Sequence, residues 1–150
     1  MRALSYLGVV ILASSLAGCS GQAAAPPFKV VANADQLMDG VLTPAAETYW
    51  GSVSTVITHE GIQENFPRTD EEWERVWAAA VTLTESGNLL MMRPPQQNQA
   101  EWQRFSADLI DRGVEAIRAA EARDPDQILE AGERVYYACV QCHERFLPEE

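Results

Sequence analysis

The sequence is short of basic residues. It holds 11 Lys and Arg against 22 Asp and Glu, which gives a formal net charge of −11 at pH 7. Nucleic acids and anionic lipid surfaces carry negative charge themselves, so a chain this acidic is poorly suited to bind either through its surface. The charge suits an encounter with a basic partner protein, although solubility alone also explains it.

Other patterns that the sequence lacks limit its fold class and the chemistry it can perform. No segment repeats, and no run alternates apolar and polar residues as a half-buried strand does, so we expect an all-α domain. No set of side chains forms an acid–base or nucleophilic constellation, so we do not expect an enzyme. Histidine occurs only at 59 and 143, and cysteine only at 19, 139 and 142. Because these five residues are so few, we assign a role to each of them separately.

The first 18 residues have the pattern of a secretory signal. Arg2 precedes an apolar run from Leu7 to Leu16, which is too short to span a membrane as a mature helix. The run ends in Leu-Ala-Gly-Cys at 16–19, which resembles the bacterial lipobox, so Cys19 is the predicted lipidation site. The alternative is ordinary signal cleavage nearby, which removes Cys19 or leaves it as an odd thiol.

Residues 19–32 form a small-residue, proline-bearing segment without apolar periodicity, and we predict a flexible tether. The folded domain is expected over 33–150. These features predict a location on the periplasmic side of a bacterial cell envelope, with the lipid as the only membrane attachment. Ser20 rather than Asp after Cys19 favours the outer membrane, by resemblance to enterobacterial sorting.

Four helical segments are predicted in the domain. The first carries an apolar stripe from Met38 to Val56 that contains Pro44, where we expect a kink or a restart with Thr43 as the new cap. The other three start at predicted caps, which are Thr69 with Glu72, Asn98 with Glu101, and Asp124 with Pro125. The breaks between the segments are short, so the expected fold is an antiparallel up-down-up-down four-helix bundle. The residues that the fourth helix is expected to bury include Ile128, Leu129, Val135, Tyr136 and Cys139.

The most specific pattern is C-x-x-C-H at Cys139, Cys142 and His143. This is the covalent attachment pattern of c-type haem, in which two thiols add to the porphyrin vinyl groups and the adjacent imidazole ligates the iron. One alternative is a redox dithiol, which normally stands at a helix start rather than the helix end predicted here. The other is a structural zinc site, which needs a fourth ligand from elsewhere.

The antiparallel bundle predicts which side chains approach the haem. Only seven residues follow His143, so we expect any second axial ligand to come from upstream. The start of the first helix, the end of the second and the start of the third share one end of the bundle with the motif. The side chains expected there are Leu37, Met38, Met91, Met92, Trp102 and Phe105. Tyr136 and Tyr137 lie one turn before the cysteines, and at least one of them is expected to pack on the porphyrin.

Met38 is the preferred sixth ligand, because it points inward a few residues into a helix. Met91 or Met92, or an open iron, are the alternatives, and core packing is an ordinary role for all three methionines. His59 would lie about 30 Å along the bundle from Met38, so we expect it on the surface at the far end rather than on iron.

A secreted four-helix domain with one C-x-x-C-H near its C-terminus resembles the cytochrome c′ group, the class II c-type cytochromes. The resemblance covers approximately residues 33 to 147, and the haem motif is its specific part. It implies that Cys139 and Cys142 hold the haem and that His143 is the proximal ligand. Some members bind NO or CO at a five-coordinate iron, whereas low-spin members use a methionine from the first helix, where Met38 stands.

The expected function is therefore that of a lipid-anchored monohaem c-type cytochrome that carries electrons by Fe(II)/Fe(III) cycling. An NO- or CO-binding protein with an open distal site is the first alternative. A non-haem zinc or structural lipoprotein is the second. A homodimer through the first two helices is an expectation by analogy of fold alone.

Overall fold

The computed structural model describes residues 28–147, so the predicted signal peptide, Cys19, much of the predicted tether and the last three residues lie outside it. Between these limits the chain is mostly helical. Two short helices, α1 (Ala34–Leu37) and α2 (Thr43–Trp50), are joined by a π-helical turn at Met38–Leu42. Three long helices follow, which are α3 (Asp70–Met91), α4 (Gln99–Ala122) and α5 (Pro125–Phe146). Within residues 28–147, no helix is long and apolar enough to cross a membrane.

The predicted starts of the three long helices are confirmed in position. At α3, the Thr69 hydroxyl accepts from the Glu72 amide and the Glu72 carboxylate accepts from the Thr69 amide, which completes the capping box. At α5, the Asp124 carboxylate accepts from two amides of the first turn. At α4, Asn98 makes no side-chain cap bond; its backbone is left-handed, with φ of 59°, whereas a capping side chain needs an extended backbone.

Pro44 does not restart the first helical run. The run continues from Ala34 to Trp50, and Leu42 rather than Thr43 precedes α2, so the predicted cap at Thr43 is wrong. Proline has no amide hydrogen to donate to the carbonyl of Gly40. The chain accommodates it with the π turn, in which the Thr43 amide donates to the Met38 carbonyl five residues back. A widened turn therefore precedes the proline.

The first helical run also ends earlier than predicted, at Trp50 rather than Val56. The next segment is an antiparallel hairpin of β1 (Ser54–Thr58) and β2 (Gly61–Asn65), in which Ile57 stands opposite Ile62. The sequence of β1 is mostly β-branched, which favours extended backbone. Gly61 takes a φ of 135° at the turn, a conformation that glycine adopts without steric cost. The all-α prediction therefore missed a small, exposed sheet.

The core lies between the helices. Helix α3 packs on α4, α4 packs on α5, and α2 contacts both α3 and α5. The largest fully buried side chains of this core are those of Tyr49, Leu83, Ile128 and Val135. The predicted burial of Leu129 and Tyr136 is wrong, since 48% and 53% of these residues is exposed. Ile128 and Val135 lie on one face of α5. Leu129 and Tyr136 each follow one of them in sequence, and one residue turns the helix by about 100°, so these two side chains point away from the core.

Two glycines let α3 and α4 approach closely. A Cβ atom on Gly87 would lie 2.7 Å from the Ser106 carbonyl oxygen, and one on Gly113 would lie 2.8 Å from the Thr84 Cα atom. Both neighbours belong to the backbone, which moves less readily than the end of a flexible side chain. The two helices can therefore pack at this distance only without side chains at 87 and 113.

We expect Gly113→Ala to destabilise the fold by about 1–3 kcal/mol, because the added methyl forces α3 and α4 apart. Gly40→Ala is the matched control, since nothing lies within 4 Å of a Cβ atom there. It should leave stability unchanged or raise it by up to about 1 kcal/mol through helix propensity. Thermal unfolding followed by circular dichroism measures both changes. Equal melting temperatures for the two variants would contradict the close contact.

Candidate cofactor site

The C-x-x-C-H motif lies in the last two turns of α5, as predicted. Residues three and four apart on a helix share a face, so Cys139, Cys142 and His143 project to the same side of α5. The two cysteines are half-buried and His143 is exposed. No disulfide joins the cysteines, which are both free thiols.

A cavity of about 230 Å³ opens beside the motif. Its wall is mostly apolar and comes from the π turn, α2, α3, α4 and α5. The residues that line it besides the three motif side chains are Met38, Leu42, Thr43, Ala46, Glu47, Trp50, Leu83, Phe105, Ser106, Leu109 and Ala138. Segments that are far apart in sequence therefore meet at the two thiols and the imidazole.

The cavity brings together some of the predicted haem neighbours and leaves out others. Met38 and Phe105 line it together with the motif. Leu37 and Trp102 are buried in the core instead, outside the cavity wall. Met91 and Met92 lie half-buried at the end of α3 and do not line the cavity either.

Met38 owes its place to the π turn, of which it is the first residue. Single π-helical turns inside α-helices occur frequently at functional sites. From Met38, every fourth residue of the run also lines the cavity, namely Leu42, Ala46 and Trp50. Sequence reasoning did not assign these three to the site, although their spacing on one helix face from Met38 is a signal that could have found them.

Aromatic rings close the end of the molecule beside the cavity. Phe146, the last residue of α5, packs edge-on against Trp102 with ring centres 5.1 Å apart and against Phe105 at 6.0 Å. The Trp102 indole donates to the Leu90 carbonyl at 2.8 Å, which ties α4 to the end of α3. Phe105 is thus held between the cavity and this cluster.

An ion pair holds α5 to α4 near the motif. The Arg145 guanidinium donates to the Glu101 carboxylate at 2.8 Å. This hydrogen bond lowers the pKa of Glu101 below its ordinary value and raises that of Arg145. Both side chains are almost half exposed, so solvent screens the pair and its contribution to stability is small.

The two thiols sit in surroundings that disfavour the thiolate. Burial, with a smaller contribution from Cys142, raises the pKa of Cys139 to about 11, and burial also raises the pKa of Cys142. The C-terminal end of a helix carries partial negative charge, whereas the reactive thiolates of redox dithiols sit at helix starts. Both thiols are therefore protonated near neutral pH.

The tyrosines next to the motif lie outside the cavity. Tyr136 and Tyr137 are each more than half exposed, and neither lines the cavity wall. Tyr136 instead packs edge-on against Trp50, with ring centres 6.0 Å apart. Trp50, whose indole donates to the Gly132 carbonyl at 3.0 Å, lines the cavity.

His59 lies in the turn of the hairpin. Its side chain is 91% exposed and approaches only the Glu60 carboxylate, at 3.8 Å. The prediction that His59 is a surface residue is confirmed. Among residues 28–147, no three His, Cys, Asp or Glu side chains are grouped so as to hold a metal ion.

A comparison of the chain with protein-family models, curated proteins and solved structures finds no match.

Proposed function

We propose that this chain is a monohaem c-type cytochrome that carries electrons on the periplasmic side of a bacterial envelope. The observation that carries the proposal is that the C-x-x-C-H motif opens onto an apolar cavity that Met38 and Phe105 also line. In this proposal the chain is an electron carrier and not an enzyme.

The residues at the cavity fit a covalently attached haem. Cys139 and Cys142 would hold it through thioether bonds, and His143 would supply the proximal imidazole. Met38 would be the second protein ligand of the iron, because it lines the same cavity as the motif. When bound, haem c supplies reversible one-electron exchange between Fe(II) and Fe(III).

The other residues of the wall would control the surroundings of the ligands. Leu83, Phe105 and Leu109 are buried and apolar, so they exclude water and keep the local dielectric low. The ring contacts of Phe105 with Phe146 hold α4 and α5 together beside the cavity, and the solvent-screened ion pair of Arg145 adds little. Packing of this kind on the buried side of the site would limit the movement of the ligands between oxidation states, which favours fast electron exchange.

We propose the antiparallel four-helix bundle of the cytochrome c′ group as the architecture. The contacts between successive helices α2, α3, α4 and α5 support it. The contact between α2 and α5, the first and last of these, supports closure into a bundle. Short connections between successive helices, as between α4 and α5, favour antiparallel neighbours.

We propose further that a lipid on Cys19 anchors the protein, with residues 19–32 as the tether. Cys19→Ser should move the mature protein from the membrane fraction to the soluble periplasmic fraction, because one cysteine carries the whole attachment. Immunoblots of the two fractions measure the shift. Cys142→Ser, which leaves the lipobox intact, is the control and should stay in the membrane fraction. Retention in the membrane of a Cys19 variant whose signal segment has been cleaved, as its size on the immunoblot reports, would refute the lipid anchor.

Covalent haem is tested on the purified protein. Its pyridine haemochrome spectrum should have the band positions of haem with two thioether bonds. The double variant Cys139→Ser, Cys142→Ser should lose covalent haem on a denaturing gel, because no thiol remains beside the cavity. A protein that is secreted with both cysteines present but carries no haem would favour the zinc or structural lipoprotein instead.

The sixth ligand is tested by Met38→Ala. We expect the low-spin spectrum of the reduced protein to become high-spin and to shift on addition of CO, because the methionine no longer blocks the iron. Met92→Ala is the control, since Met92 lies outside the cavity wall.

Two results would change this assignment. An unchanged low-spin spectrum in Met38→Ala would exclude Met38 as the ligand. A shift of the unaltered protein on CO addition would favour the NO- or CO-binding function with an open distal site.

A further inference from the structure

We propose that a basic redox protein docks on an exposed aromatic surface formed by Trp50, Leu129, Tyr136 and Tyr137. This proposal rests on the proposed function, since it names the kind of partner that would exchange electrons at the cavity. The four residues come from α2 and α5 and are called the aromatic surface below.

The aromatic surface is a connected patch. Leu129, Tyr136 and Tyr137 are 48%, 53% and 54% exposed, and Trp50 is 38% exposed. The Tyr136 ring lies 6.0 Å from Trp50 on one side and 6.0 Å from Tyr137 on the other. A groove of about 260 Å³ runs between Trp50, Leu129 and Tyr136. Large side chains that are exposed together in this way mark an interaction site more often than scattered ones do.

Trp50 connects the aromatic surface to the cofactor cavity. Its side chain lines the cavity together with Cys139 and Cys142, and it also lines the groove. The hydrogen bond from its indole to the Gly132 carbonyl fixes the ring between the two. A protein seated in the groove would therefore contact a side chain that also lines the cavity, which offers a direct route for electron transfer.

The charges beside Leu129 and Tyr136 indicate a basic partner, whereas Tyr137 borders a groove of mixed charge that contains arginines and aspartates of α4. Glu133 lines the groove, and the Glu130 side chain is 71% exposed one turn before Arg134. Arg134, the nearest cation on α5, is already paired with Glu115 and approaches Glu130 at 3.8 Å. An apolar centre within a charged rim is the usual anatomy of a protein interface, and complementary charge accelerates the encounter.

The same charges argue against a second copy of this chain as the occupant. Two copies joined through the aromatic surface would bring Glu130 and Glu133 of each copy towards those of the other, in a chain of net charge −11. Like charges brought together at an interface cost several kcal/mol. A basic protein would be attracted by these carboxylates, whereas a second copy would be repelled by them.

The experiment uses the lipidated holoprotein in detergent, reduced with ascorbate and freed of it. The probe is an oxidised blue-copper protein with a basic surface, mixed with the reduced protein in a stopped-flow instrument. One electron leaves the reduced iron and converts Cu(II) to Cu(I), so loss of the blue colour measures the rate. We expect the second-order rate constant to fall by about fivefold or more in Leu129→Ser, Tyr137→Ser.

A second variant tests the charged rim. Glu130→Gln, Glu133→Gln should lower the rate constant at low salt by several fold and should flatten its dependence on salt, because attraction to the basic probe is weakened. An acidic blue-copper protein should react slowly with the unaltered chain and should gain from the same variant.

The hairpin supplies matched controls. Ile57→Ser, Ile62→Ser removes two apolar residues that are 75% and 67% exposed, and Glu60→Gln, Glu64→Gln changes the net charge as the rim variant does. Both control variants should react with the basic probe at the unaltered rate. Ferricyanide, a small oxidant that needs no docking surface, should oxidise the aromatic-surface variant and the unaltered protein equally fast. Equal ferricyanide rates also show that the variant keeps its cofactor site.

Three results would overturn the docking proposal. The first is an unaltered rate with the basic probe in the aromatic-surface variant. The second is an equal loss of rate in the hairpin variants. The third is a dimer in solution that dissociates in Leu129→Ser, Tyr137→Ser, which would mean that a second copy covers the surface. Failure of the proposed function is recognised separately, because a protein without a haemochrome spectrum gives no reduced state to mix.

Discussion

A missing amide hydrogen at Pro44 governs the geometry around the cavity. Because the proline cannot donate to the carbonyl of Gly40, the first helical run widens into a π turn from Met38 to Leu42. The run still continues through α2. Met38 at the start of the π turn and Trp50 at the end of α2 therefore both line the cavity. An α-helix without the proline would place these two side chains in a different register relative to each other.

The rest of the cavity depends on how closely the long helices pack. Gly87 and Gly113 bring α3 and α4 together without side chains between them, and this places Leu83 and Phe105 in the same wall. Phe146, packed against Phe105 and Trp102, then holds the end of α5 over α4. The position of the two thiols is thus a consequence of backbone packing as well as of the motif that contains them.

The aromatic residues near the motif form two groups with different surroundings. Trp102, Phe105 and Phe146 stabilise the end of the fold, with Trp102 bonded to a backbone carbonyl in the interior. Tyr136 and Tyr137 lie on the outer side of α5, where they contact Trp50 and each other. A side chain one turn from the motif can therefore face either the cavity or solvent, and the rotation of α5 against the core decides which.

Local chemistry made several features predictable from the sequence alone. The capping residues Thr69 and Asp124 mark helix starts because their side chains satisfy free amides, and C-x-x-C-H carries its own spacing of thiols and imidazole.

The tertiary structure decided the features that depend on contacts between elements. The stripe from Met38 to Val56 has helical spacing, yet after Trp50 ends the run the chain forms β1, which pairs with β2 as a hairpin. Leu129 and Tyr136 repeat with the same period as Ile128 and Val135, and only packing against α2 and α4 selects which line is buried. The spacing of apolar residues identifies the possible apolar faces of a helix, whereas packing against the neighbouring helices determines which face is buried.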